Sequence, residues 1–170
     1  MSYIKPMFQF VLFIILALGF AGICIAMSSF NPLKKEVVLM SPLEGTLFNN
    51  GQILANVDIE VVIVMPGGAE KTFKHNTDDK GYFSLPVIKD QMTLGPMTEF
   101  VVSQFIDVFY NGEKHTIWSA AKREPGLYEE RDPPKKAINI TCDITDNSIE
   151  SRQGAGFIET KCKWSELINF

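Results

Sequence analysis

The stretch Leu43 to Ile88 constrains the fold of this chain more than any other. Within it, Val57, Ile59, Val61 and Ile63 alternate with Asp58 and Glu60. Side chains on a strand point to opposite faces in turn, so the aliphatic set shares one face and the carboxylates take the other. Pro66-Gly67-Gly68 then signals a turn. Glu70 to Thr77 carries Phe73 among polar residues and reads as an outer strand. Asn76-Thr77-Asp78-Asp79-Lys80-Gly81 is a tight turn, because Asn and Asp side chains bond nearby backbone N–H groups and Gly81 accepts a positive φ. The chain returns as Tyr82-Phe83-Ser84-Leu85 and is broken by Pro86. The expectation is a compact run of antiparallel strands.

Three segments of this stretch carry a family resemblance. They are Gly45-Thr46-Leu47, Asn50 to Ile59, and Thr77-Asp78-Asp79-Lys80-Gly81-Tyr82-Phe83-Ser84-Leu85. Together they resemble the carboxypeptidase regulatory-like domain, a transthyretin-like β-sandwich. Ile53 stands where that pattern usually has Pro. The resemblance implies a non-catalytic module and covers about a quarter of the chain.

The remaining composition agrees with an all-β class. Phe is abundant and strand-forming residues dominate. We expect a transthyretin-like or immunoglobulin-like sandwich of about eight strands over residues 36–170, preceded by one transmembrane helix. A net charge of -4 lacks the clustered Lys and Arg of a nucleic-acid surface.

Met7 to Met27 is apolar except for Gln9, and at about 1.5 Å per residue it would reach across a bilayer core of ~30 Å. A cleaved signal peptide and an uncleaved anchor compete here, with Cys24-Ile25-Ala26 as a cleavage candidate. The length of the apolar run favours the anchor. Residues 1–6 are then cytoplasmic and residues 28–35 form a polar tether. Lys5 on one side and Lys34 and Lys35 on the other leave orientation undecided by charge. The cysteines break the tie. Cys142 and Cys162 are an even pair outside the apolar segment, and their expected disulfide needs an oxidising compartment. The domain is therefore expected in the periplasm, with the chain held in the inner membrane as a single-pass protein.

After the central stretch, Lys89 to Thr98 reads as a loop. Glu99 to Ala120 reads as a hairpin about Asn111-Gly112, a type I′ signal, with a helix from Thr98 to Tyr110 as the runner-up. Residues 122–136 form a charged, Pro-containing loop, either a solvated connection or a partner-binding loop built on Tyr128, Glu129, Glu130 and Arg131. Ala137 to Thr145 and Phe157 to Trp164 are expected to pair around an intervening loop, stapled by Cys142 and Cys162.

No constellation for chemistry emerges. His75 with Asp78 and Asp79 is the nearest approach to a metal site, and the turn accounts for those aspartates. A Ser84, His115, Asp107 triad can be written down, as it can for any chain of this length. There is no P-loop and no nucleophile elbow. Trp118, Tyr110 and Tyr128 could stack on sugars, although aromatics in a sandwich usually fill its core. The expectation is a protein that is not an enzyme, uses no cofactor, metal, nucleic acid or small-molecule substrate, and works by binding another protein. Its layout is similar to membrane-anchored bacterial immunity proteins that block type VI-type toxins. The alternatives are an accessory subunit of an envelope complex and a carbohydrate-binding envelope module.

Overall fold

The alternation of aliphatic and polar residues folds the described residues into strands, with no helix among them. The computed structural model describes residues 34–95, 99–130, 136–153 and 156–165. Thirteen strands occur among them. The first seven are β1 (Lys34–Met40), β2 (Leu43–Asn49), β3 (Gln52–Ile53), β4 (Asp58–Val64), β5 (Glu70–Asn76), β6 (Tyr82–Leu85) and β7 (Ile88–Thr93). The remainder are β8 (Val102–Tyr110), β9 (Glu113–Lys122), β10 (Asn139–Asp143), β11 (Ile149–Gln153), β12 (Gly156–Thr160) and β13 (Cys162–Lys163). The expected transmembrane helix 7–27 and most of the tether lie outside the described residues; Lys34 and Lys35 already belong to β1. No helix among the described residues is long and apolar enough to cross a membrane.

Two larger sheets pack as a sandwich. One runs β11-β12-β9-β8-β4-β5. The other runs β13-β10-β2-β3, with β6 also paired to β2. A separate ribbon joins β1 to β7. The core lies between the sheets, where Ile59, Val61, Ile63 and Ile106 from one and Leu47, Phe83, Leu85 and Ile140 from the other are almost wholly shielded from water. At roughly 25 cal/mol per Å² of apolar surface removed from solvent, this burial is the main force that holds the layers together.

Local chemistry explains the turns. Asn111 and Gly112 take φ of 52° and 80°, as a type I′ hairpin requires. The hydroxyl of Thr77 is wholly buried, accepts the Val57 N–H at 2.9 Å and donates to the Leu54 carbonyl at 2.8 Å. Asp78 Oδ1 accepts the N–H groups of Lys80 and Tyr82, each at 2.8 Å. Gly45 is required for a different reason. A Cβ there would stand 2.5 Å from the Ile140 carbonyl oxygen and 2.9 Å from the Phe83 ring. Because β2 and β10 run parallel with Gly45 opposite Ile140, the backbone cannot easily move away. Gly45→Ala is expected to destabilise by about 1–3 kcal/mol, the usual penalty for overpacking, measured as a lower denaturant midpoint at unchanged m.

Several sequence expectations are corrected. Lys89 to Thr98 was expected to be a loop, but Ile88–Thr93 is β7 and pairs with β1. The single strand pair expected near the C-terminus is more elaborate. Ile149–Gln153, expected within a loop, is β11 and pairs with β12, while β12 joins β9 in the six-stranded sheet. The register of β8 against β9 shifts after Ile106, so Ile106 faces Trp118 while Asp107 faces Thr116. This bulge turns both Ile117 and Trp118 inward, which strict alternation forbids.

Candidate functional site

The last residue of β9 is a lysine inside the protein. Lys122 follows the parity of Trp118 and Ala120, so its side chain enters the core, where it is 0% exposed. A buried ammonium demands a nearby anion and hydrogen-bond acceptors. Glu130, 3% exposed, supplies the anion with Oε2 at 2.7 Å from Lys122 Nζ. Lys122 Nζ also donates to the Gly126 carbonyl at 2.6 Å. The same carboxylate accepts the Ser41 N–H at 2.8 Å and the Ser41 hydroxyl at 2.9 Å. Ser41 Oγ in turn accepts the Tyr128 N–H at 2.7 Å. Pro125 accepts the Val38 N–H at 2.8 Å, tying the loop to β1.

This network holds residues 122–130 in one shape. Tyr128 is fixed at φ 62°, a left-handed conformation that costs an ordinary L residue roughly 1–2 kcal/mol. Leu127, beside it, is 46% exposed. Glu129 accepts the Gly126 N–H at 3.0 Å and closes the loop on itself.

Of the expected partner-binding residues, Tyr128 is half-buried on this braced turn. Glu130 has its carboxylate inside the fold, 2.7 Å from Lys122 Nζ. Arg131 lies outside the described residues. Lys122 and Ser41 were not singled out from the sequence. The signal that could have found Lys122 is its alternation with Trp118 and Ala120, which places a charge where only a paired charge is tolerated.

Cys142 and Cys162 stand opposite each other on β10 and β13 and form a disulfide. The bond joins residues 20 apart in sequence. Next to it, Asp143 latches the Asn50-Gly51 turn. Its carboxylate accepts the Asn50 N–H at 3.1 Å, the Gly51 N–H at 2.8 Å and the Thr145 hydroxyl at 2.6 Å. Partial burial alone would raise its pKa. The bonds from the Thr145 hydroxyl and from the Gly51, Thr145 and Asn50 amides outweigh this and hold it at about 2.

Since the folded carboxyl sits below its ordinary 3.8, the unfolded chain takes up the proton first as acid is added. The latch is therefore fully stabilising above about pH 4 and is lost as pH falls toward 2. Asp143→Asn should flatten stability against pH across that interval in urea titrations, and lower stability at neutral pH.

The other candidates are separated or enclosed. Trp118 is 1% exposed and packs against Trp164 at a tilt of 42°, with ring centroids 6.0 Å apart, so its ring is enclosed in the core. Ser84 lies on β6 in the five-stranded sheet, while His115 and Asp107 lie in the six-stranded one. Asp107 is engaged by Thr116 at 2.6 Å and Lys114 at 3.1 Å, and Ser84 bonds to Glu44. Asp78 serves its turn. Among the described residues, no three His, Cys, Asp or Glu gather as metal ligands.

No curated protein and no solved structure matches the chain. The family described as Domain of unknown function (DUF6795) matches residues 43–147. That match takes in β2 to β10 and the braced loop between them, more than half of the 170 residues, and the chain belongs to this family.

Proposed function

We propose that this chain is a non-catalytic binding protein, anchored in the inner membrane by residues 7–27, whose periplasmic sandwich engages a protein partner. In its most concrete form it is an immunity protein that covers the active cleft of a secreted, type VI-type toxin. The sandwich is then of the carboxypeptidase regulatory-like, transthyretin-like kind, a scaffold whose output is shape.

The observation that carries the reading is the braced loop. A buried ion pair and a left-handed tyrosine backbone both work against stability, and both serve to present Leu127 and Tyr128 in a fixed geometry. A mere connection has no need of either. Preorganisation of this kind lowers the ordering cost of association. The Cys142–Cys162 bond supports an oxidising compartment. The anchor would raise the local concentration of the inhibitor near a membrane-active target.

The test is protection. Products of genes adjacent to this one are exported to the periplasm, with and without the full-length chain. One of them is expected to kill unprotected cells and spare protected ones. Leu127→Asp and Tyr128→Gly should both abolish protection. Tyr128→Gly should do so without lowering thermal stability, because glycine adopts a positive φ without strain. Protection that survives both substitutions, or no toxic neighbour, would overturn the reading.

A further inference from the structure

The outer face of the six-stranded sheet departs from what stability alone would select. Two cross-strand pairs on it set like charges directly opposite each other: Glu60 faces Asp107, and Glu150 faces Glu159. Opposed like charges on neighbouring strands destabilise a sheet. Lys74 lies 3.1 Å from Glu60 and Lys114 lies 3.1 Å from Asp107, so the first pair is partly compensated. Among the described residues no ion pair reaches Glu150, Glu159 or Glu70.

Between these carboxylates the face is mixed: Val62, Val64 and Phe105 form an apolar patch beside Thr116, Ser119 and Ser148. Val62 pairs with Phe105, and Val64 lies further along β4 on the same side. All three are only half-buried, although they point away from the core. They floor a trough of about 580 Å³ that crosses from Glu70 on β5 to Glu159 on β12. The trough's lining contains three carboxylates, Glu70, Asp107 and Glu159, and one ammonium, Lys114, which Asp107 already holds. An apolar patch of three side chains, bordered by hydroxyls and set where carboxylates outnumber ammonium groups, has a definite complement: an apolar side chain flanked by cations.

We propose that this face docks a segment of a partner protein that presents an apolar side chain between Lys or Arg residues. The apolar group fills the trough over Val62, Val64 and Phe105, and the flanking cations meet Glu70, Glu150 and Glu159. The surface is distinct from the braced loop and stands whether or not the partner is a toxin. The repulsion left in the folded protein is relieved when the basic segment arrives, which makes association both favourable and salt-sensitive.

The probe is a short synthetic peptide with a central phenylalanine and leucine flanked by lysines, labelled for fluorescence anisotropy and titrated into the full chain. One control carries glutamate for every lysine; a second carries serine for both apolar residues. The lysine peptide is expected to bind, both controls to fail, and affinity to fall as salt rises from about 50 to about 500 mM. Glu159→Lys with Glu70→Lys should weaken binding at least about tenfold, ~1.4 kcal/mol. Phe105→Ser should weaken it independently of salt. Glu159→Lys alone should raise thermal stability, because it replaces repulsion toward Glu150 with attraction, while it weakens the peptide. A purely structural carboxylate would not show that opposition. Absence of binding, equal binding of the glutamate peptide, indifference to charge reversal, or self-association of the chain through this face would overturn the proposal.

Discussion

Glu130→Ala is expected to destabilise the protein by about 3–5 kcal/mol, the largest effect of any single substitution considered, because it leaves a buried lysine without its anion. Lys122 is fully enclosed, and among the described residues the Gly126 carbonyl is the hydrogen-bond partner it keeps once the carboxylate is gone. The Ser41 N–H and hydroxyl lose their acceptor in the same step. The predicted signature is non-additive. Lys122→Met alone should also be costly, since it removes the ammonium that faces the buried carboxylate. The double variant, Lys122→Met with Glu130→Met, should lose less than the two single losses combined, because a buried ion pair replaced on both sides by apolar groups is often close to neutral. Urea unfolding of the four proteins completes the cycle. Additive losses would mean that the pair is not a unit.

Removal of the disulfide is the second large effect. Cys142→Ser with Cys162→Ser opens a loop whose ends are 20 residues apart. In the chain-entropy account, closing a loop of this size stabilises by about 3 kcal/mol. For a domain of this length that lowers the melting temperature on the order of 10 °C. The location makes the effect sharper. β13 is only Cys162–Lys163, and its pairing with β10 extends over Thr141 to Lys163 and Cys142 to Cys162 alone. Without the covalent bond, so short a strand is held by the packing of Trp164 on Trp118 and the Lys163–Asp146 ion pair. The loss should therefore appear first as faster amide exchange in β13 and only then as a lower global midpoint.

How far the sequence could be read depended on how local each determinant was. The β4 strand, the β5 edge, the Asp78–Gly81 turn and the Asn111-Gly112 hairpin are all set by neighbours in sequence, and all are legible there. The bulge after Ile106 was not, because it requires Ile117 and Trp118 both to face inward, and alternation assigns them to opposite sides. β7 was missed because Lys89, Asp90 and Gln91 are polar; the strand gains its place from pairing to β1 and from the Lys71–Asp90 bond at 2.8 Å. β11 was hidden for a similar reason, its partner being settled only by the chain's return through β12.

The site divides in the same way. The sequence pointed to the charged loop and its tyrosine. It did not show that Glu130 turns inward, because the lysine it neutralises is fixed by the face of β9, and the serine that completes the pair lies 89 positions away. The opposed carboxylates on the outer face depend wholly on register, which pairs Glu60 with Asp107 across distant segments. Register is set by the pattern of the whole sheet and by its bulges, and no single segment contains it.

The most direct trial of a tethered, inert binding scaffold working outside the cytoplasm is the state of its sulfurs in the cell. Intact cells are lysed into an alkylating reagent without reductant, and the chain is digested and mapped by mass. A linked peptide pair holding Cys142 and Cys162 is the predicted product. Recovery of both cysteines as separately alkylated thiols would place the sandwich in a reducing compartment and contradict the account.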